Sequence, residues 1–339
     1  MTSFYDLDLA GQMRRMRELA AQALPIWNIE YSELSLIKYR ENAVFRVETT
    51  TGERFALRIH RAGYHSDAEL LSELQWIDAL AEFGIDVPAI VPTPTGELFV
   101  VVKRDGIPEP RQVDLFEWIN GEQLGSVQEG VSGDREATHQ LYRTIGTIAA
   151  RLHNQSSSWS LPPGFQRHAW DAEGLTGENP FWGRFWELEL LTDEERDLLL
   201  QARAQVHQDL IAYGKASDSY SMIHADFVPE NLLVDNGVVR VIDFDDAGFG
   251  WHLFEIATAI YFLQGEPYFE SARDALIEGY RAHRPLSDEQ LEHLPLFMTA
   301  RGFTYLGWIH TRQETPTAQE MGPFLIKLAC DLSRTYLSA

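Results

Sequence analysis

Three polar residues between positions 226 and 243 have the types and the spacing that phosphoryl transfer requires. Asp226 is followed five positions later by Asn231, and Asp243 lies twelve positions beyond that. A carboxylate such as that of Asp226 can orient an attacking hydroxyl group and accept its proton. Asn231 and Asp243 offer an amide oxygen and a carboxylate, which are hard ligands for Mg²⁺. H-x-D alone would be a weak motif, but H-x-D-x-x-x-x-N followed by I-D-F-D is a strong one.

The neighbouring residues leave other interpretations open. A metallohydrolase would use His224 with the two motif aspartates, but it would want a second histidine, and the spacing of His252 does not suggest one. His224 is better explained as a structural histidine that hydrogen-bonds the loop. Asp245 and Asp246 are expected either to contact a second magnesium ion or the substrate, or to cap the turn before Gly248.

A predicted hairpin brings the two halves of the motif together. Leu232 to Val234 and Val238 to Ile242 have the composition of short strands, and Asn236-Gly237 is the dipeptide that a tight hairpin prefers. The strands and helices elsewhere are segregated along the chain. Helical spacing of apolar residues predicts helices over Ala10 to Leu24, Ala68 to Phe83 and Thr192 to Ala212, and alternation predicts strands over Ser35 to Thr50, Arg54 to His60 and Gln112 to Ile119. A strand-rich first third followed by a helical remainder predicts an α+β fold with two lobes.

Two groups of large side chains in the helical part are predicted to pack. The segment from Ser156 to Gly183 is rich in Trp and Phe, which we interpret as pins that hold a long loop on the core, with a substrate lid as the alternative. Arg301, Tyr305 and Trp308 share one face of a helix. Core packing is the favoured interpretation, and a wall of the substrate site is the alternative.

Composition excludes several classes of function. The 339 residues include 28 basic and 51 acidic ones, a net charge of −23 that disfavours nucleic-acid binding and suits a cationic partner, although most of the acids are expected to be solvated. Cys330 is the only cysteine, so no intrachain disulfide can form. The first nine residues lack the pattern of a signal peptide, and the longest apolar stretch is too short for a membrane span. We therefore expect a cytoplasmic protein without a membrane partner.

The sequence resembles the aminoglycoside phosphotransferase and choline kinase branch of the protein-kinase-like fold, close to type II homoserine kinases. The segments that carry the resemblance extend over nearly the whole chain: FALRIHR (55–61), SELQWIDAL (72–80), LFEWINGEQL (115–124), IAARLHN (148–154), HADFVPEN (224–231) and VIDFDD (241–246). The resemblance implies a small N-lobe over residues 1–119, with an N-terminal helix, a nucleotide-covering sheet and a hinge. It implies a helical C-lobe over residues 120–339 that holds the catalytic loop, the metal-binding loop and the substrate site.

The resemblance also implies a role for individual residues. Asp226 would be the catalytic base, and Asn231 and Asp243 would be the ligands of Mg²⁺. The residues implied in nucleotide binding are Arg58 on the phosphate-contacting strand, Glu73 as its partner, Asn42 in the phosphate loop, and Phe116, Glu117 and Trp118 in the hinge that meets adenine. Glu255 stands where relatives often carry an aspartate that braces the catalytic loop.

Two departures from the family pattern concern the nucleotide. Arg58 stands where the strand usually has lysine; arginine can still bind phosphate and carboxylate, but its planar fork changes the geometry, and a surface position is the alternative. The loop from Tyr39 to Ala43 has no glycine, so phosphate contacts are expected from backbone amides and Asn42.

These observations predict a phosphotransferase that uses ATP and Mg²⁺ and phosphorylates a hydroxyl group of a small molecule. The acidic balance suggests an acceptor that also carries an amine: an aminoglycoside, an amino alcohol or a hydroxy amino acid such as homoserine. A protein serine/threonine kinase is one alternative, although Gly250-Trp251 leads straight into a predicted helix and leaves no activation segment with a phosphosite. A nucleotide-binding protein without catalysis is the other.

Overall fold

The computed structural model describes residues 4–39, 42–124 and 135–338. The chain divides into two compact units. The first comprises residues 1–122, 161–166 and 233–242, and the second comprises residues 123–160, 167–232 and 243–339. The lobe limits of 1–119 and 120–339 remain a prediction. Among the helices of the described residues, none is both long enough and apolar enough to cross a bilayer.

A five-stranded antiparallel sheet dominates the first unit. Its strands stand in the order β1-β2-β3-β5-β4. Their bounds are β1 Tyr31–Tyr39, β2 Ala43–Thr49, β3 Arg54–Ile59, β4 Phe99–Val102 and β5 Arg111–Glu117. β2 shows why the chain folds this way, since its residues alternate between buried and partly buried along the strand. The strands predicted from alternation are confirmed, with ends that differ by a few residues.

Two helices accompany this sheet in the first unit. α1 (Leu9–Ala23) begins at Asp8, whose side chain accepts the N–H of Gly11. α2 (Asp67–Glu82) begins with a capping box between Ser66 and Glu69. Apolar residues of α1, such as Leu19, join those of the strands in one buried core. Burial of each such side chain stabilises the unit by about 1.5–3 kcal/mol.

The predicted hairpin is confirmed. It consists of β9 (Leu232–Asp235) and β10 (Val238–Val241). The short strand β6 (Glu122–Gln123) pairs with the other side of β9, so the three strands stand in the order β10-β9-β6. Asn236 and Gly237 both have positive φ angles, 51° and 81°. That is the conformation of a type I′ turn, which matches the twist of the two strands.

Helices make up most of the second unit. Their bounds are α3 Arg135–Ser158, α4 Ala172–Thr176, α5 Asp193–Tyr213, α6 His252–Ile260, α7 Phe269–Arg281, α8 Asp288–Leu291, α9 Leu294–His310 and α10 Pro316–Leu337. α3 and α7 approach very closely. A Cβ atom on Gly146 or on Gly279 would lie 1.9 Å from a backbone oxygen of the other helix, so glycine is required at both positions.

A small sheet in the second unit has no counterpart in the sequence prediction. It pairs β11 (Gly248–Trp251) with β7 (Ala169–Trp170) in parallel and with β8 (Tyr220–Ile223) in antiparallel orientation. The alternating glycines of β11 explain the omission, because glycine weakens the strand signal in a sequence. β8 leads into the loop of the H-x-D-x-x-x-x-N motif, and β11 follows the loop that begins at Asp243.

Candidate active site

A buried carboxylate binds the backbone of the loop that carries Asp226. Glu255 of α6 is completely buried, and it accepts the backbone N–H groups of His224 and Ala225, each at 2.8 Å. Ala225 has a φ angle of 63°, which an L-residue adopts only where its surroundings hold it. Burial raises the pKa of the Glu255 carboxyl, although the two N–H groups act in the opposite direction. Glu255 thus stabilises a loop conformation that the backbone alone would not keep.

The two carboxylate oxygens of Asp226 are held by different residues. Nη2 of Arg301 donates to Oδ1 at 3.1 Å, and Nδ2 of Asn231 donates to Oδ2 at 2.7 Å. The same amide nitrogen donates to the backbone oxygen of Asp226 at 2.9 Å. The carboxylate keeps 27% of its side-chain surface exposed. It is therefore fixed in orientation and still accessible, and each oxygen retains a lone pair for a further donor.

Arg301 is completely buried in α9 and is not a simple packing residue. Nη1 donates to the backbone oxygen of Ala225 at 3.0 Å, and Nη2 donates to the hydroxyl of Tyr305 at 2.9 Å. The guanidinium lies over the rings of Tyr305 and Trp182, at 4.2 and 4.9 Å from their centroids. Burial acts to lower the pKa of Arg301, but Tyr305 and Asp226 raise it, so the group stays charged.

The sequence prediction grouped Arg301 with Tyr305 on one helix face but missed the contact with Asp226. A signal for it exists in the sequence. An arginine inside a helix as apolar as Leu294–His310 is costly to bury unless an acid or several acceptors compensate it. The partner itself cannot be identified from the helix, because it lies 75 positions earlier in the chain.

Asn231 and Asp243 offer oxygen donors that suit a hard divalent cation. The amide nitrogen of Asn231 is committed to Asp226, which directs the amide oxygen away from that residue. Asp243 has a φ angle of 66°, an unusual backbone state for a residue other than glycine and one that is common at functional sites. An amide oxygen and a carboxylate oxygen fit Mg²⁺.

His224 does not have the surroundings of a metal ligand. Its Nδ1 accepts the backbone N–H of Asp226 at 3.3 Å, and its ring packs between Phe227 and Phe244. This contact supports the structural interpretation of His224 and weakens the metallohydrolase alternative. His252 is also buried, where it stacks on His153 at a centroid distance of 4.1 Å.

The part of the aromatic segment from residue 167 to residue 183 packs inside the second unit and contacts Asp246. Trp170 is fully buried against Phe254 and Trp182. Nε1 of Trp182 donates to the carboxylate of Asp246 at 3.1 Å, so this acid is oriented by the segment and does not cap a turn with that oxygen. Asp245 is 5% exposed. These contacts favour the interpretation of the tryptophans as pins.

Arg58 lies in a buried charge cluster of the first unit. Its Nε and Nη2 donate to the two oxygens of Asp114 at 3.2 and 2.7 Å, and Nη2 also donates to Glu73 at 2.8 Å. Nε2 of His60 lies 2.9 Å from Asp114. Burial acts to raise the pKa of Asp114, but Arg58 and His60 outweigh it and lower that pKa.

The structure therefore brings Arg58 and Glu73 together, and it excludes a surface position for Arg58, which is 7% exposed. Sequence reasoning missed Asp114. The residue stands directly opposite Arg58 in the register of β3 and β5. Its signal was available, since a charged residue at an inward position of a central strand needs a partner of opposite charge.

The remaining predicted nucleotide-binding residues also lie in the first unit. Asn42 is buried, and its side-chain oxygen accepts the backbone N–H of Arg61 at 3.0 Å. Two other residues of that predicted loop, Arg40 and Glu41, lie outside the described residues. Phe116 is buried at the end of β5, with the guanidinium of Arg58 5.2 Å from its ring centroid.

The backbone of the predicted hinge has partners of its own. Glu117 donates its N–H to the backbone oxygen of Ala89 at 2.8 Å, and Trp118 donates to that of Arg54 at 3.2 Å. Because these two N–H groups already have acceptors, an adenine bound here would have to form its hydrogen bonds with other groups of the segment.

Two sets of features are typical of protein-kinase-like phosphotransferases. The first unit has an antiparallel sheet in which a buried basic residue is paired with a helix glutamate. The second unit is helical and carries the H-x-D-x-x-x-x-N motif and Asp243 of the I-D-F-D motif. Residues 33–289 match the model of the family described as "Phosphotransferase enzyme family", and the chain belongs to that family. The chain is a phosphotransferase of the group that includes small-molecule kinases. The resemblance based on the motifs and the predicted α+β fold are both confirmed.

Three similar proteins are named as kinases. The solved structure of the microcompartment-associated aminopropanol kinase has a TM-score of 0.83 and 33% identity, with 95% of this chain and 97% of that chain covered. Amicoumacin kinase hAmiN, solved with AMP-PNP, Ca²⁺ and Ami, has a TM-score of 0.75 and 20% identity, with 96% of each chain covered. The homoserine kinase of Gluconobacter oxydans is 25% identical, with 87% of this chain and 90% of that protein covered.

Proposed function

We propose that the protein transfers the γ-phosphate of ATP to a hydroxyl group of a small molecule that also carries an amine, with Asp226 as the catalytic base. The observation that carries the proposal is the orientation of Asp226, whose two oxygens are held by Arg301 and Asn231 while the carboxylate stays accessible. A hydroxyl group that donates to this carboxylate is oriented for in-line attack, and its proton passes to a carboxylate oxygen.

Asn231 and Asp243 would hold Mg²⁺ through their side-chain oxygens. When bound, the ion neutralises charge that develops on the phosphoryl oxygens. Arg58 would contact the phosphates, with Glu73 and Asp114 fixing the plane of its guanidinium. Asn42 and the segment from Phe116 to Trp118 are proposed to line the rest of the nucleotide site. A neighbour solved with AMP-PNP and a divalent cation supports the choice of ATP and metal.

The short path after Asp243 supports a small acceptor. Four residues, from Phe244 to Ala247, separate this aspartate from β11, and β11 passes directly into α6. A protein kinase would use a longer activation segment at this point, where it orders the peptide substrate.

Two observations support an amine on the acceptor. The net charge of −23 attracts cations, and Asp246 lies in the second unit beside Trp182, whose ring also faces Arg301 near the base. Among the similar proteins, the aminopropanol kinase and the homoserine kinase are named for acceptors with an amine and a hydroxyl group.

An acceptor screen tests the proposal. ADP release would be measured with Mg²⁺-ATP and a panel of amino alcohols, homoserine, choline and aminoglycosides, each compared with a neutral polyol of similar size. Asp226→Asn serves as the inactive control. We expect the highest kcat/KM for an amine-bearing alcohol and none for Asp226→Asn. Neutral polyols or sugars that outperform every amine-bearing alcohol would refute the proposed acceptor class.

A further inference from the structure

Four consecutive backbone carbonyl groups follow Asp243, and side chains from one short segment bind all of them. Arg167 donates from Nη2 to the carbonyl oxygens of Phe244 and Asp245, at 3.4 and 2.6 Å, and from Nε to that of Ala247 at 2.6 Å. The remaining carbonyl, that of Asp246, lies 3.0 Å from Nε2 of His168 and 2.8 Å from Nε1 of Trp170. We call residues 167–170 the strap.

The strap and the loop approach too closely for any residue but glycine at position 248. A Cβ atom on Gly248 would lie 2.7 Å from the backbone oxygen of His168 and 2.9 Å from its ring. The next residue, Phe249, donates its N–H to the same backbone oxygen at 3.0 Å. The backbone is therefore built for this contact, independently of the side-chain hydrogen bonds.

Arg167 places a buried positive charge behind an acidic loop. The residue is 8% exposed, and the segment that it binds carries Asp243, Asp245 and Asp246 within four positions. Negative charges at that spacing repel one another, and the repulsion favours loop conformations in which the carboxylates lie farther apart. The guanidinium of Arg167 opposes this repulsion, and its donors are spread over three nitrogen atoms, so they reach carbonyl oxygens that lie farther apart than the single nitrogen of lysine can serve.

The loop needs such support because Asp243 has a strained backbone. Its φ angle of 66° costs about 1 kcal/mol or more in a residue with a Cβ atom. If the following carbonyls were free to rotate, Asp243 would relax to an ordinary conformation and its carboxylate would turn with it. The strap prevents this, since the four carbonyls after it are already bound.

We propose that Arg167 is a positioning residue for the phosphotransfer reaction, which holds the backbone of residues 244–247 so that the Asp243 carboxylate is set for Mg²⁺. This rests on the proposed role of Asp243 as a metal ligand. In switchable kinases, phosphorylation orders the activation segment. Here the strap would order the loop after Asp243 without a modification.

Nucleotide binding with and without metal tests the inference directly. We would measure by calorimetry the affinity for AMP-PNP in Mg²⁺ and in EDTA, for the wild type, Arg167→Met and Arg167→Lys. Residues that orient metal ligands typically contribute ten- to a hundredfold to metal affinity. We expect Arg167→Met to lose about tenfold or more of its affinity in Mg²⁺ and to be unchanged in EDTA, and Arg167→Lys to fall between it and the wild type.

The matched control is Arg196→Met. Arg196 also binds backbone carbonyl groups of one segment in the second unit, but these belong to Trp186 and Leu188 and not to residues 244–247. We expect this variant to lose stability with unchanged dependence on metal. Should Arg167→Met fail to fold, Trp170→Phe removes the indole N–H that is donated to the backbone oxygen of Asp246 while keeping an aromatic ring in this buried position. The lost ring volume should lower stability, and the lost hydrogen bond should weaken binding in Mg²⁺ alone, by a smaller factor than Arg167→Met.

Two results would overturn the inference: Arg167→Met folded with wild-type affinity in Mg²⁺, or an equal loss with and without metal. Asp243→Ala separates this from failure of the proposed function. If Asp243→Ala retains metal-dependent binding, the metal ligand itself is misassigned. If Asp243→Ala loses that binding and Arg167→Met does not, only the role of Arg167 is wrong.

Discussion

Replacement of Arg301 by methionine tests whether the orientation of Asp226 matters for turnover. Methionine is close in length and keeps the apolar contacts with Trp182 and Tyr305, but it cannot donate to the carboxylate. The variant removes the 3.1 Å hydrogen bond to Oδ1 of Asp226 and the 3.0 Å hydrogen bond to the backbone oxygen of Ala225. Asn231 then holds the carboxylate by Oδ2 alone, so the group can rotate away from the acceptor.

The expected loss follows from the strength of a hydrogen bond between charged partners. Such a bond contributes about 1.5–3 kcal/mol. Since about 1.4 kcal/mol corresponds to a factor of ten in rate, Arg301→Met should lower kcat by about ten- to a hundredfold. The KM for ATP should change little, because Arg301 contacts the proposed base, Asp226, and not the proposed phosphate-binding residues. Arg301→Lys, which keeps one donor and the charge, should recover part of the loss.

The assay is steady-state ADP release at saturating acceptor, well below the unfolding temperature of each variant. Arg312→Met is the matched control, because Arg312 is also buried, at 8% exposure, and lies over Trp308 at the end of the same helix. It should lower stability and leave kcat within a factor of two. A folded Arg301→Met variant with kcat within threefold of the wild type would refute the reasoning.

Three further predictions follow from the same contacts. Asp226→Asn should lower kcat by at least about a hundredfold while calorimetry shows unchanged affinity for AMP-PNP, and an unchanged rate would remove Asp226 as the base. In a double-mutant cycle of Arg58→Met and Asp114→Leu, urea unfolding should give a coupling energy of about 2 kcal/mol, whereas a value below about 0.5 kcal/mol would mean that the buried pair is not coupled. Burial lowers the pKa of His153 and of His252 well below that of the unfolded chain, so the unfolded state binds more protons below about pH 6.5. The free energy of unfolding should therefore fall as the pH drops from 7 to 5, and less steeply in His252→Gln; equal slopes would contradict the assignment.

Local patterns in the sequence determined the hairpin between the motif residues, the main helices and the chemistry that the site can perform, although not the small sheet of β7, β8 and β11. The positions of Asp226, Asn231 and Asp243 are close enough along the chain that a loop and one hairpin join them, and Asn236-Gly237 specifies that hairpin. The helices also follow from local information. Their apolar spacing and their capping residues act within one or two turns. Fold class, reaction class and the identity of the central polar residues could therefore be predicted from the sequence.

Only the tertiary structure decided which residues hold those groups in place. Arg301 reaches Asp226 across 75 positions, Arg58 reaches Asp114 across 56, and Arg167 reaches the carbonyl groups after Asp243 across 77 to 80. Such contacts leave no periodic pattern, because each depends on how two distant segments pack. An arginine within an apolar segment indicates, from the sequence alone, that hydrogen-bond acceptors must lie nearby, but only the packing of the chain determines which acceptors it binds.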